Sequence, residues 1–243
     1  MNGSQILYVW EWPVRIFHWV NALCITVLFA TGLYIGSPVL RPAGEAYETF
    51  VMGWVRYVHF VTAYVFLANW IFRVYWFFAG NEHAKNVFRF WSRDAWRSVG
   101  HHARELLAAR PEIDQELPGH DQLARMMHGL LFTAAVFMVV TGFSLYGEVN
   151  PQGVLGRLAG WTIPLAGGPR TVQYWHHLIA WFFPLWVVLH VYQVVRIDVG
   201  ARRGLISSMI SGYYFCQGGG AQGRPGAGSG SPRAGAAGPS SGR

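Results

Sequence analysis

The chain has 243 residues with a formal net charge of +7, and 52% of them are hydrophobic while only 13% are charged. That charged share is about half of what an ordinary soluble domain carries, which argues against a water-solvated fold and points to lipid as the solvent. The informative signal is then a charge-free run of about 20 residues, long enough for a helix to cross the hydrocarbon core.

Four such runs occur in chain order. The first follows Arg15 and stops before Arg41, giving a span at about 16–38. The second, at about 55–79, is interrupted only by Arg56 at one end and Arg73 near the other. The third lies between Arg125 and Glu148, at about 126–147, and the fourth between Arg170 and Arg196, at about 172–196. Pro184 predicts a kink in the fourth span. The connection 81–125 is too polar to cross, but Lys85-Asn-Val-Phe-Arg-Phe-Trp-Ser-Arg-Asp-Ala-Trp-Arg-Ser-Val mixes bulky apolar and basic residues at helical spacing, which predicts a helix lying on the membrane surface. Residues 217–243 are nearly all Gly, Ala, Pro, Ser and Arg, so a disordered tail is expected after a membrane domain over 1–216. No run has the form of a cleavable signal peptide.

Orientation follows from the basic residues, because the side holding the excess is normally the cytoplasm. Placing both termini and the 81–125 connection together gives that side fifteen Lys and Arg when Arg73 at the end of span two is included, against Arg41, Arg56, Arg157 and Arg170 on the other. Both termini are therefore expected to be cytoplasmic, and so is the surface helix between spans two and three. Trp10, Trp12, Trp19, Trp54, Tyr57, Tyr75, Trp76, Tyr174 and Trp175 fall near these predicted boundaries, as interfacial anchors do. The expected fold class is an all-α integral membrane protein, a four-transmembrane-helix bundle.

Ionisable residues inside such spans are costly and mark function by default. Five of the ten histidines qualify, His18, His59, His176, His177 and His190, with His128 near the start of span three as a sixth. His18 and His190 share a depth near the cytoplasmic side, and His59 and His176 share one near the outer side. His176 and His190 stand 14 positions apart, about 40° short of four full helical turns, so they face the same way. His177 diverges from His190 by about 140° and is expected to point away from the bundle interior.

Two histidines at one level on different helices are what a six-coordinate haem needs, since the porphyrin supplies four nitrogens and each imidazole one axial bond. A closed zinc site wants four protein ligands, and neither level offers Cys or carboxylate. Cys24 and Cys216 are the only cysteines, and no C-x-x-C-H signature for covalent haem attachment is present. Two haem b groups with His18, His59, His176 and His190 as axial ligands fit best. The competing use of each buried histidine is a hydrogen bond between helices. Ala30-Thr31-Gly32 in span one is echoed by Val140-Thr141-Gly142 in span three, where small residues allow close approach of a helix or of a flat cofactor.

The segments Pro13-Val-Arg-Ile-Phe-His18-Trp, Arg56-Tyr-Val-His59-Phe, Arg73-Val-Tyr-Trp-Phe-Phe-Ala-Gly-Asn81, Thr141-Gly-Phe-Ser-Leu-Tyr, Trp175-His176-His-Leu and His190-Val-Tyr together resemble the b-type cytochrome subunit of membrane-bound nickel–iron uptake hydrogenases. That family is related to the cytochrome b subunit of formate dehydrogenase. The resemblance implies a bacterial inner-membrane cytochrome that anchors the hydrogenase small and large subunits at the periplasmic face and passes electrons from their iron–sulfur chain to quinone. It also implies the pairs His59 with His176 and His18 with His190. Where the family usually shows Gly-His-Asn, this chain has Gly119-His120-Asp121. His120 and Asp121 are candidates for a quinone site or a proton path, or are helix-capping residues.

Arg73 falls at the cytoplasmic haem level and is a candidate partner for a haem propionate, snorkelling to headgroups being its other use. The hydrogen-activating chemistry cannot reside here, because no cysteine-rich nickel site exists in the sequence. Two alternatives stay open at this stage: a cytochrome serving formate dehydrogenase or thiosulfate reductase, and a transporter whose histidines relay protons. Membrane lipid is an expected partner and nucleic acid is not.

Overall fold

The computed structural model describes residues 5–38, 49–80, 122–201 and 204–216. The expected surface helix at Lys85–Val99, the candidates His120 and Asp121 and the tail after Cys216 lie outside these residues. In chain order the elements are β1 (Gln5–Tyr8), α1 (Trp12–Gly36), α2 (Val51–Ala79), α3 (Gln122–Gly147), α4 (Val154–Ala159), α5 (Thr162–Leu165), α6 (Pro169–Ala180), α7 (Phe182–Ala201), α8 (Leu205–Ser211) and β2 (Tyr213–Cys216). Four segments are long and apolar enough to cross a membrane: Trp12–Gly36, Val51–Ala79, Met127–Gly147 and Pro169–Arg196. The four expected spans are all present, and the protein is a multi-pass helical bundle.

The first span begins before Arg15 rather than after it. Pro13 sits in the first turn of α1, where its missing N–H has no partner to lose. Arg15 is tolerated inside the helix because it is buried against the end of α8, where its Nη1 donates to the Ile210 carbonyl. The guanidinium also lies 4.4 Å over the Trp12 ring. A cation against the last carbonyls of a short helix complements that helix's dipole.

The fourth span is broken at Trp181, whose N–H takes the Leu178 carbonyl at 3.3 Å in place of a regular helical bond. Pro184 explains the break: it has no N–H to give Ala180, and its ring crowds that carbonyl. The local break in the helix thus falls one turn ahead of the proline.

One feature departs from an all-α fold. β1 and β2 pair antiparallel in the register Gln5↔Cys216, Ile6↔Phe215, Leu7↔Tyr214 and Tyr8↔Tyr213. Val9 and Trp10 extend the clamp by donating to the Gly212 carbonyl at 3.0 and 3.3 Å. Gly212 is required there: its φ is +88°, and an added Cβ would lie 2.7 Å from the Tyr8 ring and 2.9 Å from the Trp10 carbonyl. Two four-residue strands at opposite ends of the sequence carry no local signal of pairing. The end of the bundle holding this clamp is the proximal end, and the end holding α4 and α5 is the distal end.

The helices form two hairpins. α1 packs along the length of α2, and α3 packs on α4 and α6, whereas contacts between the hairpins are sparse. The hairpins meet in a central layer built from Cys24 on α1, Phe66 and Trp70 on α2, Leu131 on α3, and Phe183 and Trp186 on α7. Large apolar side chains such as Leu23, Phe78 and Val188 point outward, as a lipid-facing surface requires. At the distal end, fully buried Ser144 ties α4 and α5 to α3. Its Oγ lies 2.7 Å from both the Val140 and Ala159 carbonyls and 2.6 Å from the Thr162 hydroxyl.

Candidate haem-binding levels

Above and below the central layer lie two groups of histidines. The distal group is built on the repeated Thr-Gly step of α1 and α3. Thr31 Oγ1 lies 2.8 Å from His59 Nδ1, and Thr141 Oγ1 lies 2.8 Å from His176 Nδ1. The neighbouring glycines leave room for the same rings. An added Cβ at Gly32 would come 3.4 Å from His59 Cε1, and one at Gly142 would come 3.2 Å from His176 Cε1. The Thr-Gly echo is thus put to one purpose twice: hydroxyl against Nδ1, bare Cα against the ring edge.

His177 goes elsewhere than expected. Consecutive helical residues diverge by about 100°, so while His176 reaches α3, His177 reaches α1, where a Cβ at Gly36 would lie 2.8 Å from its ring. It does not point away from the bundle, because α6 has neighbours on both sides.

The proximal group brings His18 and His190 to a ring-centroid separation of 6.4 Å at 51°. Two metal–imidazole bonds of about 2 Å, plus about 1 Å from each nitrogen to its ring centre, span roughly 6 Å, so the spacing suits an iron between them. His128 stands 6.5 Å from His190 at 85° and is a third ring at this level. Trp186 stacks on His190 at 4.7 Å and 9°, and its Nε1 donates to the Met127 carbonyl at 3.3 Å. His18 Nδ1 has no hydrogen-bond partner among the described residues. The two levels therefore hold their rings by different means, hydrogen bonds distally and ring stacking proximally.

Arg73 is 4% exposed at the proximal level, with its guanidinium 5.7 Å over the Phe17 ring. Asn69, one turn away, donates to the Phe17 carbonyl at 3.1 Å and fixes α1 against α2 there. Between the levels Phe66, Trp70 and Phe132 form a chain of ring contacts, the first edge-on and the second tilted, with centroids 6.1 and 5.3 Å apart.

Among the described residues no three His, Cys, Asp or Glu side chains converge on one point as a bare metal ion would need. Pairs of imidazoles suit a metal that brings its own four equatorial nitrogens. Sparse packing between the hairpins, and glycines where the distal rings pass, fit a flat macrocycle between helices.

Of the sequence candidates, His18 and His190 are brought together, and His59 and His176 share the distal level. Reading the sequence missed Thr31 and Thr141 as ring partners, although the repeat was visible. It also missed Trp186, which the four-residue offset from His190 would have placed on the same helix face.

A family model described as prokaryotic cytochrome b561 matches residues 9–212. The chain is 44% identical over 220 residues to a probable Ni/Fe-hydrogenase B-type cytochrome subunit of Cupriavidus necator, covering 87% of this chain and 89% of that one. A protein of the same description from Azotobacter vinelandii is 40% identical, covering 88% and 90%. The probable Ni/Fe-hydrogenase 1 B-type cytochrome subunit of Escherichia coli K12 is 35% identical, covering 85% and 89%.

Proposed function

The chain belongs to the prokaryotic cytochrome b561 family, and on that premise we propose that it holds two b haems and carries electrons from a nickel–iron hydrogenase across the membrane to quinone. The observation that carries this reading is the arrangement of histidines at two levels of one bundle, with matched Thr-Gly cradles distally and a 6.4 Å ring separation proximally. His59 and His176 would hold the haem of the distal level, and His18 and His190 that of the proximal level. Relatives named as Ni/Fe-hydrogenase B-type cytochrome subunits support a hydrogenase partner, and the small and large subunits are the contacts this reading assigns to it.

When bound, haem b supplies a one-electron couple. The chain's own residues do the rest. Four imidazoles would hold the two groups, and the central aromatic layer excludes water and separates the levels. Arg73 offers a buried positive charge to a propionate at the proximal level. The excess of Lys and Arg puts the proximal end, with both termini, in the cytoplasm. The distal end then faces the periplasm, where the hydrogenase delivers electrons. Quinone is reduced near the proximal level with protons drawn from the cytoplasm, and His120 and Asp121 are assigned to that quinone site or proton path.

A pyridine haemochrome assay on the detergent-purified chain tests the reading. About two haem b per polypeptide is expected, falling to about one in His59→Ala or His176→Ala. A colourless protein from haem-competent cells, or an unchanged haem content in both variants, would overturn it.

A further inference from the structure

Hydrogen-bond chemistry at the distal level fixes more than ring position. Thr31 Oγ1 lies 2.6 Å from the Val27 carbonyl and 3.2 Å from the Leu28 carbonyl, besides its contact with His59. Thr141 Oγ1 lies 2.8 Å from the Phe137 carbonyl and 3.4 Å from the Met138 carbonyl, besides its contact with His176. A hydroxyl has one proton and two lone pairs, whereas a carbonyl only accepts. With the proton directed to the carbonyl four residues back, the threonine oxygen is left to accept, so Nδ1 must be the donor. A neutral imidazole protonated at Nδ1 carries its lone pair on Nε2. Nothing comparable holds His18, whose Nδ1 has no hydrogen-bond partner among the described residues.

We propose that Thr31 and Thr141 are a matched pair of positioning residues. Each locks its histidine in the Nδ1–H tautomer, turns Nε2 toward the distal site and makes that nitrogen a stronger electron donor than its proximal counterpart. A partner accepting from the far ring nitrogen raises ligand basicity and fixes ring orientation. More basic axial ligands favour the oxidised metal, so the distal potential is held below the proximal one and electrons run downhill from the distal to the proximal level. The inference rests on the bis-histidine reading above, but the two fail separately. If His59→Ala keeps its full haem content, that reading fails; if His59→Ala loses one haem and the threonine variants behave as wild type, only the inference fails.

Thr31→Val and Thr141→Val keep shape and remove the hydroxyl, and Thr31→Ser and Thr141→Ser restore it. The full chain is purified with haem, and redox titration of the haem absorbance is combined with low-temperature EPR of the oxidised protein. In each valine variant the lower midpoint should rise and the low-spin signal missing from His59→Ala should shift, while the higher midpoint stays put. Serine should return both to wild type. Outright loss of the distal haem in the valine variants with recovery in serine also supports the assignment. Unchanged midpoints in both valine variants, an equal shift of both midpoints, or no recovery with serine overturns it.

Discussion

Replacing Gly142 with Ala separates the fit of the distal ring from the stability of the helix. In a helix interior alanine is favoured over glycine by about 1 kcal/mol, so α3 itself should gain. The new methyl would stand 3.2 Å from His176 Cε1, closer than ordinary carbon–carbon contact at about 3.5–4.0 Å. The ring must retreat by a few tenths of an ångström, yet it is tethered 2.8 Å from Thr141 on the same helix. Overpacking of this kind costs about 1–3 kcal/mol, roughly 5- to 150-fold in affinity. At Gly32 the corresponding distance to His59 is 3.4 Å, so Gly32→Ala should cost less than about fivefold, below the lower bound of such overpacking. Haem transfer to excess apomyoglobin reads this directly, because the distal phase is the one missing from His59→Ala protein. Gly142→Ala should speed that phase while leaving the proximal phase and the thermal midpoint of the apoprotein no lower than wild type. Equal retention in Gly142→Ala and wild type, or a larger loss in Gly32→Ala, would refute the steric argument.

Two further predictions come from the same geometry. His177→Ala and His128→Ala should keep the wild-type haem content in the haemochrome assay, whereas His176→Ala and His18→Ala each lose one haem; a loss in His128→Ala with retention in His18→Ala would reassign the proximal pair. Ser144→Ala removes the contact that ties the Ala159 carbonyl and the Thr162 hydroxyl to α3 and should destabilise the distal end by about 1–3 kcal/mol. The check is a lowered thermal midpoint together with faster proteolysis between α3 and α6, and an unshifted midpoint would count against it.

The spans were legible because lipid imposes a length and a composition that a sequence states openly, and Pro184 marked the break at Trp181 for an equally local reason. Boundaries were less secure where a charge had a hidden partner. Arg15 reads as an edge until the Ile210 carbonyl comes round to meet it. The levels of the histidines followed from helix rise alone, whereas which way His177 turns depended on α1 lying beside α6. Thr31 and Thr141 show the middle case: the repeat was visible, and helix packing explained it as well as a ring partner did until both hydroxyls were found on Nδ1 atoms. The strands β1 and β2 left no trace in either segment read by itself.

That clamp sets an order of events in time. β1 leaves the ribosome before the four spans and its partner follows only after the last of them, so an open strand edge waits while all four are made. A chain cut short before Tyr213 would contain all four spans and every histidine discussed above, yet could not close. The seam between β1 and β2 thus makes synthesis through Cys216 a structural condition of the closed bundle.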